Sequence, residues 1–129
     1  MGEERRAAIV AAARACIGAR FRPYGRDPAW GLDCVGLAAC AFGRAVPRDY
    51  PLRGGDAGCV ARAAAAAGLV AAPRPAPGDL LLIDCGSRQL HLAVLTETGF
   101  VHADAGIGRV VEAPGRPAGR IVAAYREGE

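Results

Sequence analysis

Pro73-Arg74-Pro75-Ala76-Pro77-Gly78, followed by Asp79-Leu80-Leu81-Leu82-Ile83-Asp84, is where the character of the sequence changes. Four of these first six residues are Pro or Gly, which break both helices and sheet ladders. Before the breaker, apolar residues recur at helical spacing. Ala7, Ile9, Val10, Ala13 and Ile17 mark a helix over 3–17, with acids at its start and Gly18 at its end. Pro23, Gly25, Pro28 and Gly31 mark 20–32 as a loop. Asp33 reads as an N-cap for a short apolar helix over 34–42 that stops at Gly43. A second loop covers 46–55, and Asp56 caps a third helix that runs through Ala67 and ends at Gly68.

After the breaker come short, closely spaced strand patterns at 80–84, 90–96, 100–103, 109–112 and 120–125. Turn signals separate them: Cys85-Gly86-Ser87, Thr98-Gly99, the run 105–108 and the run 114–119. Spacing this close predicts an antiparallel meander. Helices first and strands afterwards predict an α+β fold, with N-terminal helices packed on one face of a C-terminal antiparallel sheet. Neither side of the breaker can hold a core alone, so residues 1–129 are expected to form a single domain.

Composition narrows the function classes. All 16 basic residues are Arg, and they are scattered, with no run longer than Arg5-Arg6. A nucleic-acid footprint needs a clustered patch, so no nucleic-acid partner is expected. No apolar run approaches the length of a membrane span, and Met1 to Ala13 has no signal-peptide pattern. The expectation is a soluble chain made in the cytoplasm with its thiols free. The five cysteines are Cys16, Cys34, Cys40, Cys59 and Cys85; none forms C-x-x-C, and neither a metal site nor a cofactor is expected.

Trp30-Gly31-Leu32-Asp33-Cys34-Val35-Gly36-Leu37 places a cysteine in the first turn of a capped helix. Unpaired N–H groups there favour a thiolate, which predicts a lowered pKa for Cys34. The same groups can hold an oxyanion. Gly36 would keep this turn slim where a substrate approaches. The only two histidines, His91 and His102, fall on neighbouring predicted strands either side of Thr98-Gly99, roughly opposite each other. Cys34 as nucleophile, His91 as base and His102 as its orienter satisfy the logic of a catalytic triad. Two roles fit Tyr24, in the loop before Cys34: donor to an oxyanion or substrate, or anchor of that loop. Asp33 can cap the helix and can also hold a substrate ammonium. Cys16 and Cys40 read as core residues, Cys59 as a residue of the third helix, and Cys85 as an exposed turn thiol.

Asp33-Cys34-Val35-Gly36-Leu37 resembles the D-C-x-G-L nucleophile motif of the NlpC family of cell-wall cysteine peptidases. Pro77-Gly78-Asp79-Leu80 resembles the P-G-D-L that opens its sheet, His91-Leu92-Ala93-Val94 its H-V-G-I strand, and Val101-His102-Ala103 its I-H-A strand. Tyr24-Gly25 matches its Tyr-Gly pair. The order agrees over about 9–125. The resemblance implies a papain-like fold and cysteine-dependent hydrolysis of peptidoglycan stem peptides. It implies Cys34, His91 and His102 as the triad, with Tyr24 at the oxyanion and Asp33 at the substrate's free amine. Trp30 to Leu37, together with Val110-Val111-Glu112-Ala113-Pro114 and the ending 119–126, is similar to the phage-tail and gene-transfer-agent branch. That implies tail or baseplate proteins as partners and action at the cell wall from a particle. Most secreted members carry Ser where this chain has Val35, which opens an alternative: a cysteine amidase or acyltransferase on a non-wall substrate. A structural tail component with a dispensable site is the other.

Overall fold

The structure is a computed structural model that describes residues 2–48, 56–87 and 89–128. Of the expected second loop, 49–55 lie outside the described residues. Helix α1 (Gly2–Ala15) has Glu3 and Glu4 in its first turn and Arg14 in its last, each at the end of the helix dipole that favours its charge. Ile9, Val10 and Ala13 form its buried stripe. Helix α2 (Cys34–Phe42) starts at Asp33, whose carboxylate accepts the Gly36 N–H, and ends at Gly43, whose φ of 65° is the left-handed cap that glycine adopts at low cost. Helix α3 (Ala57–Ala66) starts the same way at Asp56, which accepts the Cys59 N–H at 2.7 Å. Between α1 and α2, β1 (Arg26–Asp27) and β2 (Gly31–Leu32) pair into a small hairpin.

Six strands make the main sheet among the described residues: β3 (Leu69–Ala71), β4 (Leu80–Asp84), β5 (Leu90–Leu95), β6 (Gly99–Asp104), β7 (Arg109–Pro114) and β8 (Arg120–Glu127). Their order is β3-β8-β4-β5-β6-β7, antiparallel throughout. The α+β expectation agrees with this architecture. The meander holds only from β4 to β7. Strand β8 returns across the sheet and inserts between β4 and β3, so the first long strand ends up central. Burial explains the choice. β4 reads Leu-Leu-Leu-Ile with every one of those residues buried, and such a strand needs neighbours on both edges and cover on both faces.

Leu80 and Leu82 face the helices, in a core with Ile9, Leu37, Phe42, Val94 and Val101. Leu81 and Ile83 face the other way and pack with Ala93, Phe100 and Ala124. The breaker is fastened at Asp79, which is fully buried: its carboxylate accepts the Ala76 N–H at 2.8 Å and a two-pronged bond from Arg126 at 2.9 and 2.8 Å. No helix among the described residues is long and apolar enough to cross a membrane.

Candidate active site

The site forms where α2 meets the sheet at β5 and β6. Val94 pairs with Val101 and Leu95 with Phe100, and the two strands are unpaired beyond that. Carried on, this register sets Asp104, not His102, opposite His91. The histidines are therefore diagonal neighbours on one face of the sheet, a two-residue refinement of the expectation that they sit roughly opposite each other. Diagonal side chains this long still meet: His91 Nε2 lies 2.9 Å from His102 Nδ1, with the rings edge to face. Phe100 packs against the His102 ring at 4.9 Å between centroids.

Cys34 arrives at the same place from α2. Its sulfur lies within the influence of the Leu92 N–H, which belongs to the peptide joining His91 to Leu92, and of the Cys34 and Val35 amides, all of which favour its thiolate. Leu92 lies beyond the paired part of β5 and β6, so its N–H is free to serve the sulfur. The structure thus sets the Cys34 sulfur by the backbone amide next to His91, and His91 in contact with His102.

The electrostatics differ from the sequence expectation. Burial pushes the Cys34 thiol up to about 11, against the pull of the Leu92, Cys34 and Val35 amides, while the Asp33 carboxylate adds to the rise. The helix-start amides act in the direction expected, but removing the thiolate from water costs more. Burial, and then the neighbouring His102, bring His91 down to about 4, with Asp104 acting in the opposite sense. His102 is lowered as well, by burial first, and again opposed by Asp104. At neutral pH the resting site therefore holds a thiol and two neutral imidazoles.

Asp33 organises the approach. It is 3% exposed. Its Oδ1 accepts the Gly36 N–H at 2.8 Å and Arg26 Nη1 at 3.2 Å, and its Oδ2 accepts the Tyr24 N–H at 2.8 Å. One carboxylate thus ties the helix start, the hairpin and the Tyr24 loop together. Tyr24 has φ 61°, a left-handed backbone uncommon outside glycine. Asp33 holds it on its N–H, and Arg48 Nε donates to its carbonyl at 3.0 Å. Gly36 corrects another expectation. A Cβ there would run into the Gly25 carbonyl, so it is the protein's own Tyr24-Gly25 loop, not a substrate, that demands the glycine.

Sequence reasoning missed Arg26, Leu92 and Asp104. Asp104 was legible: it lies two residues beyond His102 on one strand and so shares its face. It also accepts the Gly106 and Ile107 N–H groups at 2.8 and 3.0 Å. The Leu92 amide carries no side-chain signal, since any residue supplies one. Among the described residues no group of three or more His, Cys, Asp or Glu side chains is arranged to hold a metal.

No family model matches the sequence, and no curated protein matches it. Solved structures do match its fold. The chain is similar to the NlpC/p60 domain of the peptidoglycan hydrolase SagA, with 24% identity, 84% of this chain and 88% of that one covered, and a TM-score of 0.59. It is similar to the P60 domain of an antigen of M. avium subspecies paratuberculosis, with 21% identity, 98% and 96% coverage and a TM-score of 0.65. A third is the peptidoglycan hydrolase RipB of Mycobacterium tuberculosis, with 24% identity, 99% and 67% coverage and a TM-score of 0.65. The fold is the papain-like α+β fold of NlpC/p60 domains.

Proposed function

We propose that this chain is a cysteine peptidase that hydrolyses peptidoglycan stem peptides, with Cys34 as nucleophile, His91 as base and His102 as the group that orients the base. The observation that carries the reading is the convergence of the Cys34 sulfur on the His91–Leu92 peptide with the 2.9 Å bond between His91 Nε2 and His102 Nδ1. Structural neighbours described as peptidoglycan hydrolases support the substrate class.

For this role His91 donates its Nε2–H to His102 Nδ1, which leaves the Nδ1 lone pair for the thiol. His91 takes the Cys34 proton as the sulfur attacks the amide carbonyl carbon. The oxyanion is held by backbone N–H groups at the start of α2, with Tyr24 beside it. His91 then protonates the leaving nitrogen as the C–N bond breaks, leaving a thioester on Cys34. Water, deprotonated by His91, attacks the thioester and releases the acid. The resemblance implies that Asp33 also receives the substrate's free amine; buried and bonded to Gly36, Tyr24 and Arg26, it serves here to fix the helix start and the Tyr24 loop.

The test is mass-spectrometric digestion of purified muropeptides by wild-type protein and by Cys34→Ala. Cleavage lost in a variant that keeps the wild-type circular dichroism supports the reading, and cleavage retained in it sinks it. Wild-type protein that spares muropeptides but hydrolyses other amides or transfers acyl groups favours the alternative suggested by Val35. The setting we propose is a phage-tail-like or gene-transfer particle acting at the cell wall, a reading that rests on the resemblance of 30–37, 110–114 and 119–126 to that branch. Particles carrying Cys34→Ala that deliver DNA as well as wild type would instead favour a structural tail role.

A further inference from the structure

Trp30 is the only tryptophan in the chain, and it stands 71% exposed, more than any other large apolar side chain among the described residues. It is also firmly seated. It closes the turn of the β1–β2 hairpin, where its N–H donates to the Asp27 carbonyl at 2.9 Å and the Ala29 N–H donates to the Asp27 carboxylate at 2.9 Å. On the other edge of β2, the Arg22 N–H donates to the Leu32 carbonyl at 3.1 Å and the Leu32 N–H to the Arg20 carbonyl at 2.9 Å. A Cβ on Gly31 would strike the Arg22 side chain, so that exposed arginine lies along the residue next to Trp30. Asp27, Pro28 and Ala29 complete the exposed hairpin. One ring among such neighbours is too little apolar surface for a stable protein interface. What it offers is a flat face held in water, with N–H donors beside it. Trp30 is four residues before Cys34, so the two lie at most about 14 Å apart.

We propose that Trp30 is a saccharide-binding residue: its indole stacks on the sugar that carries the stem peptide, and Arg22 donates to that sugar's hydroxyl and acetamido oxygens. The inference rests on the peptidoglycan substrate proposed above and narrows it to stem peptides still attached to their glycan. A sugar ring presents polarised C–H bonds on its face, which the negative face of an indole attracts, and polar groups at its rim. The reach fits. A stem peptide cut two or three residues from its sugar holds that sugar roughly 7–10 Å from the reacting carbon. Asp33 gives an independent reason. Its carboxylate is 3% exposed and accepts the Gly36 N–H, the Tyr24 N–H and Arg26 Nη1, so it is already engaged where the ammonium of a sugar-free peptide would have to bind. A stem peptide that keeps its sugar has an amide at that end and no ammonium to place.

With a single tryptophan, indole emission reports on this residue alone. The wild-type chain is excited where tyrosine does not absorb and titrated with β-1,4-linked N-acetylglucosamine oligomers, which hold no peptide to cut. Stacking should move the emission to shorter wavelength and shield it from acrylamide, both saturably. A second measurement is the ratio of kcat/KM on a disaccharide-linked stem peptide to that on the same peptide without sugar. Trp30→Ala should lower this ratio about tenfold, through KM, and Trp30→Tyr should restore most of it. Trp30 buries little of its surface, so both variants should keep the wild-type circular dichroism. An emission that the oligomers leave unmoved overturns the proposal, as does a ratio that Trp30→Ala leaves unchanged. Wild-type protein that cleaves neither peptide defeats the peptidase reading, and the titration then decides sugar binding by itself.

Discussion

Alkylation of Cys34 as a function of pH probes the site without any substrate. Burial sets the thiol at about 11 against an ordinary 9.0. A shift of that size leaves about a hundredfold less thiolate at neutral pH. A more basic thiolate is also the better nucleophile, which returns roughly a factor of ten, so iodoacetamide should modify Cys34 about tenfold more slowly than an ordinary thiol. The rate should climb through the alkaline range without levelling off near neutrality. His91, held at about 4, carries no charge at neutral pH, so His91→Ala removes no cation from beside the sulfur. The variant should therefore react at neutral pH within a small factor of wild type. Each cysteine is followed separately by mass spectrometry of arginine-specific peptides, with Cys40→Ser used to simplify the peptide that contains both. A plateau at or below neutral pH, faster than an ordinary thiol and abolished by His91→Ala, would refute the reasoning. It would mean that the amide donors and the imidazole outweigh burial and that the site rests as an ion pair.

Glu112 accepts a two-pronged bond from Arg14 at 3.0 and 2.9 Å and hydroxyl bonds from Thr96 and Thr98, and its pKa is held down at about 2, chiefly by Arg14. Glu112→Gln should cost about 1–2 kcal/mol at neutral pH. Because the folded pKa is depressed, that advantage is present above the ordinary 4.5 and is lost as pH falls toward about 2, so urea midpoints of the two proteins should converge in acid. Asp79→Ala leaves Arg126, a third exposed, without its buried partner and the Ala76 N–H without an acceptor, and should cost about 1–3 kcal/mol; a denaturant midpoint shift worth under about 0.5 kcal/mol would contradict the burial argument. Gly36→Ala drives a methyl into the Gly25 carbonyl and should destabilise by about 1–3 kcal/mol, with thermal melting as the check.

Much of this fold is written locally. Asp33 and Asp56 announce helix starts, Gly43 a helix stop, and Thr98-Gly99 a hairpin, because each acts through bonds to residues within a few positions. What was not legible is set by partners far along the chain. Strand β3 has three residues, two of them exposed, and exists because β8 pairs with it across more than fifty positions. The insertion of β8 beside β4 likewise follows from the burial demand of β4, which no turn signal encodes. The site divides along the same line. Cys34, His91 and His102 are visible as residue types that do chemistry. The diagonal placement of the histidines depends on a register only the closed sheet fixes, and the Leu92 amide is a backbone donor available at almost any position.

The thiol's protonation state is the least local property of all, and it constrains how the proposed reaction begins. A helix start read alone predicts a thiolate waiting for substrate. The folded site instead packs that helix start against the sheet, so the Leu92, Cys34 and Val35 amides act on a partly buried sulfur whose thiolate loses hydration. With His91 also neutral, proton transfer must accompany attack and cannot precede it as a resting ion pair. That places the burden on orientation. A neutral base is effective only if its lone pair is aimed at the thiol, and the 2.9 Å contact with His102 holds the ring; the proposed mechanism takes the tautomer in which His91 Nε2–H donates to His102. Asp104, on the same face, then favours the imidazolium once the proton has moved. On the proposed mechanism the second histidine orients the first, a task that an ion pair with the thiolate would perform if burial had not left both groups neutral.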